Sequence, residues 1–374
     1  MKNTLSREEK IYLNALKLVF PYNNAVIGKL INQEKSADYL WNKASKTELL
    51  SFEIPKKQIE KFLYEREKID PMKEFWLLEK ENIDLISRAN VGYPTLLDDI
   101  YDAPEILYLQ GKSSLLNNRN IAMVGARAPS KYGPEIVEKI VKEFVSYNFT
   151  VVSGLAMGID SAAHEAAVEN GLPTIAVLGA GHGSIKGRSH FRLFKELIAN
   201  QLIISEYPYN IEGAKHTFPA RNRIISGLSL ATIIIEAKER SGSLITAKLA
   251  NDQRREIFAV PGSLFNACSR GTNRVIQKGE AELFIDTKTM VERINFNSKL
   301  PLEYKDISKF IPEDELAGAL CTFLSSPRHL GKIIENLSPM LIGQNPTSRI
   351  LQALTELELT GFIKQADNQI WVRD

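Results

Sequence analysis

The sequence has few of the features that mark secreted, disulfide-stabilised or membrane-embedded proteins. It contains only two cysteines, Cys268 and Cys321, which are far apart and lack metal-ligand spacing. This usage fits a reducing compartment rather than a disulfide framework. No apolar run approaches the length of a membrane span, and residues 1–10 lack the apolar core of a signal peptide. We therefore expect a cytoplasmic protein with no membrane partner.

The chain also has almost no excess of charge of either sign. Its 47 lysines and arginines against 45 aspartates and glutamates leave a formal net charge of +2. No global field therefore predicts a polyanionic partner, and such a site must arise from local clustering of cations. The 374 residues, 44% of them hydrophobic, suffice for two or three domains with at least one full core.

Apolar spacing predicts a helical domain at the start of the chain. Residues 1–86 carry apolar side chains three and four positions apart, interrupted by Pro21, Pro55 and Pro71. This pattern is typical of several short helices. The sequence therefore predicts a small N-terminal domain of the SAM or helix-hairpin kind.

Residues 87–294 alternate short β-branched runs with helical stretches. The predicted strands are 121–124, 150–152, 174–178, 202–204, 231–235 and 256–260, and the helices include 134–147 and 161–170. Strands rich in Val and Ile on both faces, alternating with helices, indicate a doubly wound, mostly parallel sheet. The fold class is therefore α/β, with an extended Rossmann-like domain at its centre.

The end of the chain predicts a linker and a third domain. Residues 295–315 are polar and irregular, as expected of a linker. Residues 316–374 have helical stretches followed by a short hairpin with Asp367 and Asn368 near its tip, which favours a winged helix. From Lys305 onward, seven basic residues against nine acidic ones give a net charge of −2. This balance argues against a groove-binding recognition helix and against a regulator of double-stranded DNA.

Glycine-rich loops follow several of the predicted strands. They occupy residues 125–130, 153–160, 179–183 and 240–243. Glycine permits close backbone approach, and a helix that begins after such a loop directs N–H groups at an anion. In an open α/β sheet these loops gather at the carboxyl ends of the strands. Together they predict a long phosphate-lined crevice, although each loop alone is equally explained as a tight turn.

Neither common nucleotide signature is present. A dinucleotide site needs GxGxxG after the first strand, whereas the chain reads Gly125-Ala126-Arg127 there. A phosphate loop ending in Gly-Lys-Ser/Thr is also missing from the sequence. The crevice is therefore predicted to bind a phosphate-bearing ligand of another kind.

The segment 215–223 adds cations and an aromatic ring just before a predicted helix. Lys215 and the ring of Phe218 suit single-stranded nucleic acid, because cations meet phosphates and the ring takes a base face. Alternatively, Phe218 is a core residue, and Arg221 and Arg223 are partners of acids such as Glu206 or Glu236. The sequence leaves both interpretations open.

From residue 93 to about residue 280 the chain resembles the DprA/Smf family. The motifs that carry the resemblance are YPTLL at 93–97, AP at 103–104 with LY at 107–108 and Gly111, VGAR at 124–127, SGLAMGID at 153–160 with AH at 163–164, SEYP at 205–208, FPARNRIISGLS at 218–229, EA at 236–237 followed by RSGSLIT at 240–246, VPG at 260–262 and SRGTN at 269–273. The number and order of these motifs make a chance match unlikely. Together they extend over about half of the chain.

The resemblance implies a protein that binds and protects single-stranded DNA without strong sequence preference. It also implies a homodimer formed through the Rossmann-like domain, and a partnership with RecA, which is loaded onto the strand for homologous recombination during natural transformation. Matched residue by residue, the resemblance further implies that Arg127, Lys215, Phe218, Arg240 and the turn at residues 241–243 line a groove for DNA.

We expect a binding site without catalytic residues, cofactor or metal. The predicted single-stranded DNA site comprises Gly125, Arg127, Ser153, Gly154, Lys215, Phe218, Arg221, Asn222, Arg223, Arg240, Ser241, Gly242, Ser243 and Lys248. Asp160, His164, Glu206 and Glu236 form a possible catalytic set, but no triad order, metal spacing or paired acids support it, and we favour structural roles.

The alternative function is a nucleotide-processing enzyme of a related Rossmann-like class, similar to a phosphoribohydrolase. That class needs a Pro-Gly-Gly-x-Gly-Thr loop followed by a glutamate base. The nearest segment here, Val260-Pro261-Gly262-Ser263-Leu264, breaks the pattern. The binding function is therefore the favoured one.

Overall fold

The computed structural model describes residues 4–33, 35–185 and 191–297, together with residues 316, 319–320, 323–324, 328–341, 345–359, 363–367 and 370–373. The chain divides into two compact units, Met1–Leu302 and Glu303–Asp374. Of the features discussed above, Cys321, Asn368 and most of the 295–315 segment lie outside the described residues. The limits of the four predicted regions stay predictions.

Six helices form the first part of the larger unit. They are α1 (Arg7–Val19), α2 (Asn24–Ile31), α3 (Ala37–Asn42), α4 (Lys46–Ser51), α5 (Lys56–Glu65) and α6 (Pro71–Lys80). Polar side chains begin several of them: Ser6 Oγ accepts a hydrogen bond from Glu9 N at 3.1 Å, and the Asp70 carboxylate accepts from two N–H groups of α6. These caps satisfy donors that a first helical turn leaves unpaired. Pro71 occupies the first turn of α6, where its missing N–H costs nothing.

A nine-stranded sheet forms the centre of the larger unit. Its strands are β1 (Ile83–Ser87), β2 (Ile106–Gly111), β3 (Asn120–Val124), β4 (Thr150–Ser153), β5 (Thr174–Leu178), β6 (Leu202–Ser205), β7 (Ala231–Ile234), β8 (Glu256–Ala259) and β9 (Glu282–Leu283). Their order is β1-β2-β6-β5-β4-β3-β7-β8-β9. β2 pairs antiparallel with β1 and β6, and all other neighbours are parallel. The predicted α/β class with a mostly parallel sheet is confirmed.

Helices cover both faces of this sheet. They are α7 (Thr95–Asp98), α8 (Tyr132–Val145), α9 (Ile159–Glu169), α10 (Phe191–Asn200), α11 (Thr217–Gly227), α12 (Gly242–Asp252), α13 (Arg270–Gln277) and α14 (Thr287–Asn297). Successive residues of β3 point to opposite faces. Ala122 and Val124 pack in one apolar core with α11 and α12, whereas Ile121 and Met123 pack in another with α8 and α9. None of the described helices is both long and apolar enough to cross a membrane.

The six N-terminal helices share their core with the edge of the sheet. The prediction of helical structure throughout the first 86 residues is wrong at its end, because β1 begins at Ile83. Ile83 and Leu85 are buried and the residue between them is exposed, which is the two-residue period of a strand. Both belong to the helical core, as does Tyr108 of β2, whose hydroxyl donates to Asn14 Oδ1 at 2.9 Å.

The smaller unit combines helices with a three-stranded antiparallel sheet. Its helices include Leu330–Leu337 and Pro346–Leu359, and its strands are β10 (Arg328–His329), β11 (Ile363–Asp367) and β12 (Ile370–Arg373), with β12 central. Ile333, Leu354 and Trp371 belong to its apolar core. The winged-helix assignment of this unit stays a prediction.

Candidate functional site

The strand order reverses between β3 and β7. From β3 the chain builds outward through β4 and β5 to β6, then returns to place β7 on the other side of β3. The loops at the carboxyl ends of these two strands therefore diverge and leave a crevice, which is where open α/β sheets bind ligands. A cavity of about 760 Å³ lies there.

Ten of the fourteen predicted site residues line this cavity. They are Gly125, Arg127, Lys215, Phe218, Arg221, Asn222, Arg240, Ser241, Gly242 and Ser243. Gly154 lines a smaller neighbouring cavity that shares Arg127, Phe218 and Arg221 with the first. The glycine-rich loops were predicted to gather at one crevice, and residues from several of them line these two cavities.

Four exposed cations surround the opening of the cavity. Arg127 follows β3, Lys215 precedes α11, and Lys238 and Arg240 follow β7. We call these four residues the rim cations. Lys238 was not among the predicted site residues, although its position in the loop after β7, two residues before Arg240, gave the signal. Exposed cations from three segments give the opening a local positive charge that the net charge of the chain conceals.

The start of α12 adds a further anion-attracting group. Ser241 is its N-cap and its Oγ accepts from Ser243 N at 3.4 Å. Gly242 begins the helix, and all three residues line the cavity. The N-terminus of a helix carries partial positive charge. The turn therefore complements the rim cations.

Arg221 lies on the floor of the cavity and is buried. Its guanidinium donates to the carbonyl oxygens of Gly154, at 2.6 Å, and Val177. Burial lowers the pKa of Arg221 to about 10, against the opposing attraction of Asp160. Burial likewise raises the pKa of the Asp160 carboxyl, which Arg221 and nearby N–H groups counteract. Arg221 thus fixes the ends of β4 and β5, where a Cβ on Gly154 would collide with its guanidinium.

Phe218 is half-buried between two glycines at the cavity wall. A Cβ at Gly179 would lie 2.7 Å from its ring, and a Cβ at Gly213 would lie 2.9 Å from it. The guanidinium of Arg127 is 6.0 Å from the ring centroid. The ring lines both cavities. The close fit holds Phe218 in place while part of it faces the opening.

Arg223 is held in a separate buried ion pair outside the cavity. Its Nη2 donates to both carboxylate oxygens of Glu206, at 2.7 and 2.6 Å, and its Nε lies 3.1 Å from Asp102. Lys17 of α1 is also buried and lies 4.0 Å from Glu206. The structural interpretation considered for Arg223 therefore matches its position.

Two other predicted residues also lie outside both cavities. Ser153 is buried at the end of β4 and its hydroxyl donates to Met123 O at 2.6 Å. Lys248 is exposed on α12. Their assignment to the DNA site has no support from their positions.

Glu236 joins three loops at the end of β7. Its carboxylate accepts hydrogen bonds from Ser130 N at 2.8 Å, Ser130 Oγ at 2.6 Å and Asn266 Nδ2 at 3.1 Å. The side chain is almost fully buried. Glu236 therefore positions the loop that carries Arg127 relative to the loop after β7, which carries Lys238 and Arg240.

The remaining member of the possible catalytic set, His164, is also engaged structurally. His164 is buried, its Nδ1 lies 2.7 Å from Thr174 Oγ1, and burial lowers its pKa to about 3. Within the part of the chain that the structure describes, no group of three or more His, Cys, Asp or Glu side chains is arranged to hold a metal ion. Of the possible catalytic set, only Asp160 lines the cavity, where it is buried beside Arg221.

Comparisons with known proteins identify a family model and several relatives that match this chain. The family model described as DNA recombination-mediator protein A matches residues 84–295. Protein Smf of Escherichia coli (strain K12) is 35% identical over 292 residues, which cover 76% of each chain.

Solved structures that are similar to this chain include two proteins named DNA processing protein A. DNA processing protein A (DprA) of Streptococcus pneumoniae has 34% identity and a TM-score of 0.65, covering 78% of this chain and 98% of that one. DNA processing protein A of Helicobacter pylori, studied for its single-stranded DNA binding mode, has 29% identity and a TM-score of 0.52, covering 57% of this chain and 96% of that one.

Proposed function

Because this chain belongs to the DNA recombination-mediator protein A family, we propose that it binds single-stranded DNA in the cavity at the ends of β3 and β7. One observation carries the proposal. Arg127, Lys215 and Arg240 come from three segments of the chain and line a single cavity. The ring of Phe218 lies on the same wall, so cations and a stacking surface occur together.

This combination suits a flexible strand better than a duplex. Phosphates meet the rim cations, and a base meets the ring of Phe218, which requires an unpaired base. An aromatic face accepts any base, so binding is proposed to show little sequence preference. The Helicobacter pylori relative, which is known for its single-stranded DNA binding mode, supports the same ligand.

We propose further that the protein protects the bound strand and loads RecA onto it, for homologous recombination during natural transformation. In this proposal it acts as a homodimer formed through the sheet domain. The support is membership of the family and the resemblance that its motifs carry. In a strand-exchange assay with RecA, the protein is expected to shorten the lag on long single strands. An unchanged lag would contradict the loading role.

The proposed role is binding rather than catalysis. Asp160 lies beside the buried Arg221, and Glu236 accepts its hydrogen bonds from Ser130 and Asn266. These engagements leave both carboxylates in structural roles. The protein is therefore proposed to hold and deliver DNA without covalent chemistry.

Fluorescence anisotropy with labelled oligodeoxynucleotides tests the proposal. The purified protein is expected to bind oligo-dT and a mixed-sequence single strand with similar affinity, and the matching duplex more weakly. A parallel assay for hydrolysis of nucleoside monophosphates tests the alternative enzymatic function. Turnover of a mononucleotide by a protein that ignores single strands would overturn the proposal.

A further inference from the structure

An exposed tyrosine of the helical region lies beside the segment that carries Lys215 and Phe218. Tyr22, in the turn between α1 and α2, has 53% of its surface exposed. Its ring centroid is 5.2 Å from that of His216, at an interplanar angle of 75°. It is also 5.8 Å from the ring of Tyr207. Tyr22 therefore belongs to an aromatic cluster that reaches the surface.

His216 connects this cluster to the cavity. It is exposed and stands between Lys215 and Thr217, immediately before α11. Lys215 and Phe218 on either side of it both line the cavity. Two residues of chain span at most about 7 Å. Phe218, His216 and Tyr22 are thus successive aromatic groups that lead from the cavity towards the helical region.

Buried contacts fix Tyr22 in this position. Tyr207, which supports its ring, is only 3% exposed. Glu206, the residue before Tyr207, is joined to Arg223 of α11 and lies 4.0 Å from Lys17 of α1. Because α1 and α11 converge on this carboxylate, the turn after α1 is held against the start of α11. An aromatic ring fixed in advance loses little conformational freedom when a base stacks on it.

We propose that Tyr22 and His216 form a second stacking position for single-stranded DNA, so that the helical region extends the path of the strand beyond the cavity. This inference rests on the proposed function. Its ligand is any flexible single-stranded polynucleotide that is long enough to reach from Phe218 to Tyr22. Base identity is not read there, because a tyrosine face accepts every base.

The test measures how affinity changes with the length of oligo-dT, from about 4 to about 16 nucleotides, the site sizes usual for single-strand binders. Tyr22→Ala is expected to leave the shortest oligonucleotides unaffected and to weaken binding of the longer ones at least about fivefold. Tyr22→Phe should bind as the wild type does, because the ring remains. Equal affinities of Tyr22→Ala and the wild type at every oligonucleotide length would overturn the inference.

Tyr64→Ala is the matched control. Tyr64 is a 59% exposed tyrosine of α5 in the same helical region, with Lys68 Nζ 3.5 Å from its ring centroid. Its loss is expected to have no effect at any length. A loss as large as that of Tyr22→Ala would show a general effect of surface tyrosines and would also overturn the inference.

A second variant gives a readout that does not depend on the stability of Tyr22→Ala. Tyr22→Trp places a fluorophore at the proposed position, in addition to the three native tryptophans. Its emission, taken as the difference from the wild type, is expected to be quenched by a long oligo-dT but not by a short one. Equal or absent quenching would contradict the inference. If Phe218→Ala loses binding but Tyr22→Ala binds every length as the wild type does, the proposed function stands. Only the extension of the strand to Tyr22 is then refuted.

Discussion

The rim and the floor of the cavity use arginine for different purposes. At the rim, Arg127 and Arg240 are exposed at the opening. On the floor, Arg221 is 4% exposed and donates to the carbonyls of Gly154 and Val177. A single motif, residues 218–229, supplies the floor arginine and the ring of Phe218. Arginines that line one cavity therefore need not share a role.

Burial accounts for this difference. A buried guanidinium must have its donors satisfied within the protein, because unpaired buried polar groups are costly. An exposed guanidinium exchanges water for phosphate at little cost. The comparison thus predicts that floor substitutions act on stability and that rim substitutions act on affinity.

Arg221→Met is expected to have the largest effect and to act on stability. It leaves Asp160 without its buried cation and removes the hydrogen bonds that Arg221 donates to the carbonyls of Gly154 and Val177. Breaking a buried charged interaction of this kind typically costs about 3–5 kcal/mol. Urea denaturation followed by circular dichroism measures the loss. Arg127→Met, at the rim, should leave the unfolding curve nearly unchanged, and equal losses in both variants would remove the distinction between rim and floor.

Phe218→Ala is expected to weaken single-strand binding by about 1–3 kcal/mol, the usual contribution of a stacked base. Anisotropy with oligo-dT measures this change. Phe265→Ala is the control, because Phe265 is 99% exposed in the loop after β8 and does not line the cavity. Normal affinity in Phe218→Ala, together with reduced stability, would make Phe218 a packing residue like Arg221.

Replacing Arg127 and Lys215 together by Ala is expected to lower affinity for every sequence and to reduce its salt dependence. Each phosphate contact contributes about −0.7 to the slope of log affinity against log salt for single strands. The slope should therefore become about 1.4 less negative if each residue meets one phosphate. A folded double variant with an unchanged slope would show that these rim cations do not contact phosphates.

The smallest expected effect is a difference between Lys238→Ala and Lys248→Ala in the salt dependence of single-strand affinity. Lys238 lines the cavity, whereas Lys248 is exposed on α12 outside it. Lys238→Ala should make the salt slope less negative by about 0.7, and Lys248→Ala should leave it unchanged. The reverse result would move the path of the strand away from the cavity and onto α12.

Much of the fold could be predicted from local patterns in the sequence. Strands β3 to β8 were predicted within one or two residues, because parallel strands buried on both faces appear as continuous runs of Val and Ile. β1 and β2 were missed, because these two strands pair antiparallel at one edge of the sheet and a helical core covers one of their faces. The two-residue strand β9 was missed as well. The resemblance to the DprA/Smf family is confirmed.

The composition of the site was more predictable than the role of each residue. Glycine-rich loops after strands indicated a crevice, because strand ends meet at one edge of a parallel sheet. Nothing local separates Arg221, on the floor, from Arg223, which pairs with Glu206 beyond the cavity. Their environments depend on contacts with residues far away in sequence. Lys238 stands outside the Arg-Ser-Gly-Ser turn at residues 240–243, and no local pattern alone shows that its side chain reaches the cavity.

The shared core of the six helices and the β1–β2 edge makes the larger unit hard to divide. Trimming the chain just before Ile83 would uncover the apolar side of β1 and β2, and with it Tyr108, whose hydroxyl would lose Asn14. Exposed strand edges and apolar faces promote aggregation. A shortened version that is to stay in solution therefore needs other apolar side chains to cover this face of β1 and β2, or polar substitutions on it.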